Sequence, residues 1–267
     1  MSLFAMSVAA AELPEMSRLA GDPAALAARS RAAMHRVAFW MLLAAAVYVA
    51  AGDLIVSLLF EGGVFGSADT VLVWFVIAAY ALGLPATGVS RVLQNACYAR
   101  GDTAGPARIA TVRVVVAAAV GTLVMFPLDR IVVGSDGLVG AADALGLAWA
   151  LPAAERALDD VVRLGAVGLA VGSAVAAWTE IALLSRRFGF PKAVRSALRA
   201  PATAAAVSFA ATAALKLVVD GWPSILSAPL VGGAAVLVYA LVAFRSGIPE
   251  ADLLLQPLRK ALWTSRD

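Results

Sequence analysis

Six long apolar stretches, separated by short basic or glycine-bearing connections, set the pattern of this 267-residue chain. They are Val37–Phe60, Val71–Asn95, Ala107–Leu128, Leu164–Leu184, Ala202–Val219 and Ile225–Phe244. Each has close to the roughly 20 residues that a helix rising 1.5 Å per residue needs to cross about 30 Å of hydrocarbon. No strict alternation of polar and apolar positions runs through them, so they predict helices and not the strands of an outer-membrane barrel. The alanine-rich fifth stretch is the least apolar. Before the first, Ser2–Ala11 is apolar but half a span long, and it lacks the basic leader and small-residue cleavage site of a signal peptide. It reads as a truncated N-terminal helix end. The predicted fold class is an all-α polytopic membrane protein with six full transmembrane helices.

The connections carry their own signals. Gly62, Gly63, Gly66 and the stretch Ser67 to Thr70 predict a turn with helix-capping residues before span two. Residues 129–163 form a longer connection whose apolar spacing through Leu145, Leu147, Leu151, Leu158 and Val161 predicts a helix lying on the membrane surface. After span six, Leu253, Leu254, Leu258, Leu262 and Trp263 make one side of a short interfacial helix interrupted by Pro257. Pro85, flanked by Gly83 and Gly88, marks a kink or flex point in span two. Gly168 and Gly172 have the spacing that lets helices approach closely.

Basic residues settle the orientation. Arg18, Arg29, Arg31 and Arg36 precede span one, and Arg91, Arg100, Arg108 and Arg113 surround the turn after span two. Arg186, Arg187, Lys192, Arg195 and Arg199 lie between spans four and five, and Arg245, Arg259, Lys260 and Arg266 follow span six. These seventeen fall on one face, against Arg130, Arg156, Arg163 and Lys216 on the other. The positive-inside rule makes the first face cytoplasmic, so loops 12–36, 96–106 and 185–201 and the C-terminus face the cytoplasm and 129–163 faces outward.

Composition excludes much. With 62% hydrophobic against 15% charged residues and a mean hydropathy of +0.87, a water-soluble globule is ruled out. Although the net charge is +3, the basic residues sort by membrane side, so nucleic acid is not an expected partner. One cysteine, Cys97, and one histidine, His35, leave no disulfide framework, no thiolate metal cluster and little imidazole chemistry. No phosphate loop, nucleophile elbow or paired-histidine helix occurs. The chain is therefore expected to be no enzyme and to use no metal or cofactor. His35 reads as an interfacial residue and Cys97 as a packing residue. Arg100-Gly101-Asp102 falls between two spans on the cytoplasmic face, where turn and cap chemistry accounts for it better than adhesion. Asp102 or Thr103 would cap span three, with Pro106 in its first turn.

Ionisable groups inside hydrocarbon are the functional candidates, because each is costly unless paired or wetted. Arg91, Arg113 and Glu180 qualify. Arg91 lies near enough to the cytoplasmic end of span two for its stem to snorkel. Arg113 and Glu180 lie at similar depths in spans three and four, which predicts a structural ion pair.

Three segments carry a resemblance. Leu13-Pro14-Glu15-Met16-Ser17-Arg18, Leu59-Phe60-Glu61-Gly62-Gly63-Val64-Phe65 and Ala96-Cys97-Tyr98-Ala99-Arg100-Gly101-Asp102-Thr103 with Pro106 resemble, in order and spacing, the MurJ/MviN family of bacterial lipid II flippases. Tyr98, Asp102, Thr103 and Pro106 form the family-motif turn. The family belongs to a superfamily that also holds drug and polysaccharide exporters, and its members have fourteen helices in two six-helix lobes plus a terminal pair. The resemblance implies that residues 1–199 are a partial second lobe, 200–246 the extra C-terminal helix pair and 247–267 a cytoplasmic interfacial tail. It implies transport of undecaprenyl-pyrophosphate-linked peptidoglycan precursor across the bacterial cytoplasmic membrane, with spans five and six forming a groove for the lipid tail. The first lobe and its cavity arginines and aspartate are absent, and the 129–163 connection is longer than is usual in the family. Arg91 is then the best remaining candidate for binding the pyrophosphate, since arginine offers several donors. The alternatives are a drug or polysaccharide exporter of the same superfamily, or an inactive half-transporter that needs a separately encoded first lobe as partner.

Overall fold

The computed structural model describes residues 12–134, 137–140, 150–152, 155 and 161–256. The apolar tail Ser2–Ala11 and Leu258, Leu262 and Trp263 of the predicted interfacial helix lie outside them. Among the described residues, six helices are long and apolar enough to cross a membrane: α1 (Pro23–Phe60), α2 (Ser67–Ala99), α3 (Ala104–Leu128), α4 (Gly165–Arg187), α5 (Pro191–Val218) and α6 (Ser224–Arg245). A short antiparallel hairpin, β1 (Val132–Gly134) with β2 (Gly137–Val139), sits between α3 and α4.

Each apolar stretch falls within or nearly within a helix, but the helices run further. α1 begins fourteen residues before Val37, because Asp22 accepts the amide N–H groups of Ala24 and Ala25 at 2.9 and 3.0 Å and Pro23 fits the first turn. Its 38 residues span about 57 Å at 1.5 Å per residue, far more than the hydrocarbon thickness. The expected loop 12–36 is therefore largely helical, as are residues 12–18 within it. Likewise α5 starts at Pro191, so the expected loop 185–201 shrinks to the 188–190 link. The loop placed at 96–106 reduces to 100–103. Hydropathy marks where a helix leaves the hydrocarbon, whereas glycine, proline and caps decide where it stops.

The connection at 129–163 is described only in part, and most of the surface helix expected in it lies outside the described residues. Its described residues hold the hairpin and a bridge from Val132 to Arg163. Leu151 and Val161 are not helical, and Leu145, Leu147 and Leu158 lie outside the described residues. The β-branched and glycine-bearing run at 132–140 favours paired strands. After α6, residues 251–256 are helical, with Leu254 and Leu255 turned inward and Leu253 exposed.

α1 is the spine, packing against α2, α5 and α6, while α4 packs between α2 and α3. A large apolar cluster joins Met34, Val37 and Met41 of α1 to Val89 and Leu93 of α2 and Leu184 of α4. α6 is fixed to α1 by Tyr239, whose hydroxyl donates to the Phe39 carbonyl at 2.7 Å. Its ring lies 5.2 Å from that of Phe39. α2 stays helical through Pro85. The glycines around that proline serve packing, since a methyl at Gly83 would meet Ala174 of α4 at 2.9 Å and one at Gly88 would meet Val37 and Met41 of α1 at 2.7 and 2.8 Å.

Gly168 and Gly172 press α4 onto the backbone of α3 at Met125 and Gly121. Gly172→Ala must push these backbones apart and is expected to cost about 1–3 kcal/mol. Gly233→Ala meets nothing within 4 Å, so it should be neutral or add up to about 1 kcal/mol through helix propensity. Thermal unfolding followed by circular dichroism in detergent compares the two, and equal destabilisation would contradict the packing described.

Candidate functional site

Four side chains from three helices form one connected polar chain. On α2, Arg91 donates through Nη1 to Oε1 of Gln94 at 3.1 Å, one helical turn along. Nε2 of Gln94 donates to Oε1 of Glu180 on α4 at 2.9 Å. The other oxygen of Glu180, Oε2, accepts from Nη1 of Arg113 on α3 at 2.7 Å, an ion pair. The Glu180 side chain is only 1% exposed, whereas that of Arg113 is 29% exposed. Gln94 is buried and Arg91 is exposed.

Helix packing dictates this arrangement. α4 contacts both α2 and α3, while α2 and α3 barely meet, so only a residue on α4 can join the other two. The glycine contacts of α4 with α3 bring Arg113 within reach. The three charged members carry a net positive charge of one, because Arg113 neutralises Glu180 and Arg91 is left over. Arg91 uses one of its five N–H donors within the chain. The arrangement can hold a fixed, orientated guanidinium for an anionic oxygen, and it contains no nucleophile.

The three ionisable residues singled out from sequence are thus linked, through a glutamine that sequence reasoning passed over. Gln94 carries no charge, so a search for intramembrane ions misses it. A second omission is Asp53. It lies within the first apolar stretch and pairs with Lys216 of α5 at 2.6 Å. Lys216 also sits 5.2 Å from the ring of Trp74, whose indole N–H donates to the Val49 carbonyl at 3.3 Å. The criterion that selected Glu180, an acid inside an apolar run, would have found Asp53.

At one end of the helices, the turn around residues 98–106 is built from local hydrogen bonds. Oδ1 of Asp102 accepts from the amide of Gly105 at 2.8 Å, so Asp102 is the capping side chain. Thr103 occupies the cap position without a side-chain bond. Gly101 adopts a φ of +78°, a left-handed conformation that closes the helix end by letting the amide of Asp102 reach the Cys97 carbonyl at 3.0 Å. Pro106 is buried in the first turn of α3 and Tyr98 is 42% exposed. Arg187 of α4 approaches Asp102 at 3.7 Å, and the Arg100 guanidinium lies 6.0 Å from the Phe190 ring. The turn therefore clamps α2 and α3 to the end of α4. Cys97 is buried and donates to the Leu93 carbonyl at 3.0 Å. His35 is exposed beside Arg36.

An apolar cleft of about 540 Å³ opens between α1 and α6. Trp40, Met41, Val47 and Tyr48 of α1 and Val236 of α6 line it. Its walls offer contact to an aliphatic chain and almost no polar atoms.

Comparison with known proteins gives a consistent set of likenesses. A family model described as lipid II flippase MurJ matches residues 1–159. A probable lipid II flippase MurJ from Rhizobium tropici is 34% identical over 113 residues, covering 42% of this chain and 19% of that protein. Its namesake from Rhizobium meliloti (strain 1021) is 34% identical over 124 residues, covering 46% of this chain and 23% of that protein. Among solved structures, one titled lipid II flippase MurJ, inward closed conformation, superposes with a TM-score of 0.64 at 18% identity. That match covers 95% of this chain and 44% of that one. The chain thus spans less than half of the solved flippase, and its matched segments span under a quarter of these relatives.

The ion pair yields a direct test. Glu180→Leu leaves Arg113 uncompensated in a low-dielectric setting and should cost about 3–5 kcal/mol, whereas Arg113→Leu with Glu180→Leu should be much milder. A double-mutant cycle on the thermal unfolding midpoint measures the coupling. Additive losses would refute the pair.

Proposed function

The chain belongs to the lipid II flippase MurJ family, and on that premise we propose that it supplies the second lobe and terminal helix pair of a flippase for undecaprenyl-pyrophosphate-linked peptidoglycan precursor. Family membership supplies the class of activity. The structural observation that carries the reading is the linked chain of Arg91, Gln94, Glu180 and Arg113, which fixes one surplus cation at the level of apolar helices. A lipid-linked pyrophosphate must move an anionic head past hydrocarbon while its polyprenyl tail stays in lipid. That task calls for orientated cations and for two bodies that alternate in access, not for a bond-breaking group.

In this reading Arg91 meets the pyrophosphate with its free donors, and Gln94 sets the direction of its guanidinium. Arg113 and Glu180 are positioning residues that hold α2, α3 and α4 together beneath it. The cleft between α1 and α6 accepts part of the tail by apolar contact. The Tyr98 to Pro106 turn and the ends bearing Arg31, Arg186 and Lys192 face the cytoplasm, in keeping with the excess of basic residues there. A first lobe, outside these 267 residues, provides the opposing body and further cations.

The test uses a bacterium depleted of its own flippase. The 267-residue chain co-expressed with the first lobe of a relative should restore growth and bring precursor to the outer leaflet, and the chain alone should insert without doing so. Losing a hydrogen bond to a charged group costs about 1.5–3 kcal/mol, so Arg91→Ala should weaken transport by about tenfold or more. Full rescue by the chain alone would overturn the two-body account. Undiminished transport by Arg91→Ala would remove Arg91 from the substrate path.

A further inference from the structure

Away from the polar chain, a cleft of about 610 Å³ opens where α1, the end of α4 and the start of α5 meet. Arg31 of α1, Arg186 of α4 and Lys192 and Ser196 of α5 line it, with Gly189 and Phe190 of the link and Pro191 between them. Among the described residues, no acidic residue lines the cleft. All three cations are exposed. The nearby acids are engaged elsewhere, Glu12 with Arg29 and Arg36 at 2.6 and 3.2 Å and Asp102 with Arg187. None of the ion pairs among the described residues includes Arg31, Arg186 or Lys192.

The backbone adds donors to the same place. α5 begins at Pro191 with Phe190 in the cap position and no side chain capping it, so amide N–H groups of its first turn are left without a side-chain acceptor. Gly189, at a φ of +78°, makes the short link that turns this helix end into the cleft. Ser196 donates to the Ala193 carbonyl at 2.9 Å, which leaves its oxygen able to accept but not to neutralise charge. Two guanidinium groups, an ammonium and a helix N-terminus without opposing acid match the chemistry of a phosphate group.

The level of the cleft narrows the source. Arg31 precedes the apolar stretch that begins at Val37 by about 9 Å of helix, Arg186 follows directly on the one ending at Leu184, and Ser196 precedes Ala202 by a similar distance to that of Arg31. All three sit just outside the hydrocarbon, at the depth of lipid headgroups, where basic pockets between helices take anionic lipids. We propose that this cleft binds the phosphate of an anionic phospholipid headgroup, at a site separate from the Arg91 chain. The inference stands on the cleft alone and does not depend on the identity of the transported substrate.

The test uses the 267-residue chain in nanodiscs of phosphatidylcholine doped with phosphatidylglycerol, with retained lipid read by native mass spectrometry. Wild type should keep a phosphatidylglycerol molecule in preference to phosphatidylcholine. The variant Arg31→Gln/Arg186→Gln/Lys192→Gln should lose that preference by about tenfold or more, since each basic residue near an anionic surface is worth about 1 kcal/mol. Arg108→Gln/Arg195→Gln/Arg199→Gln removes as much charge outside the cleft and should retain it. Circular dichroism confirms that both variants keep their helices. A parallel arm titrates inorganic phosphate. Displacement of the lipid by micromolar phosphate would keep the phosphate chemistry and assign it to a soluble source. Equal loss in the two triple variants, or no preference in wild type, would overturn the proposal.

Discussion

A carboxylate surrounded by apolar helices must be met by donors, and Glu180 is met from both sides. Its two oxygens are claimed by Gln94 of α2 and Arg113 of α3, so one buried charge sets the level of three helices. Slipping any one of them by a turn would move its partner by about 5.4 Å and leave a polar atom unsatisfied in a low-dielectric setting, where that is most costly. Close approach makes the contact possible. Without the bare glycine faces of α4, α3 would stand too far off for an arginine two turns from its start to reach the carboxylate.

The remaining helices are organised around α1, which packs against α2, α5 and α6. It holds α6 through the Tyr239 hydroxyl bond and α5 through Asp53 and Lys216, so both α5 and α6 have a polar fastening to the spine. Apolar contact alone specifies little between helices in lipid, because lipid tails are as apolar as leucine. The few polar fastenings thus fix which helices are neighbours, and the clefts between them follow as consequences of that order.

Much of this was legible in the chain. Spans are legible because runs of Ala, Leu and Val have one physical use at such length, and α2, α3, α4 and α6 differ from their apolar stretches only by a few terminal residues. The starts of α1 and α5 were not legible from hydropathy, since arginine and alanine are good helix formers outside the bilayer as well as at its edge. Depth from a shared face is readable for Arg113 and Glu180, but the helix face each occupies is not, because Ala-rich helices carry little amphipathic signal. Gln94 escaped notice for want of a charge. The hairpin at 132–139 was hidden by its brevity, as three-residue strands have no period to read.

The central claim is that the buried chain presents Arg91 to a lipid-linked pyrophosphate. It is tested most directly by photocrosslinking within the assembled two-lobe flippase, using radiolabelled precursor. A photoreactive residue at Thr87, one turn from Arg91 on the same side of α2, should capture the precursor, and one at the exposed Val114 of α3 should not. Equal capture at the two positions, or none at Thr87 in an active transporter, would contradict the account.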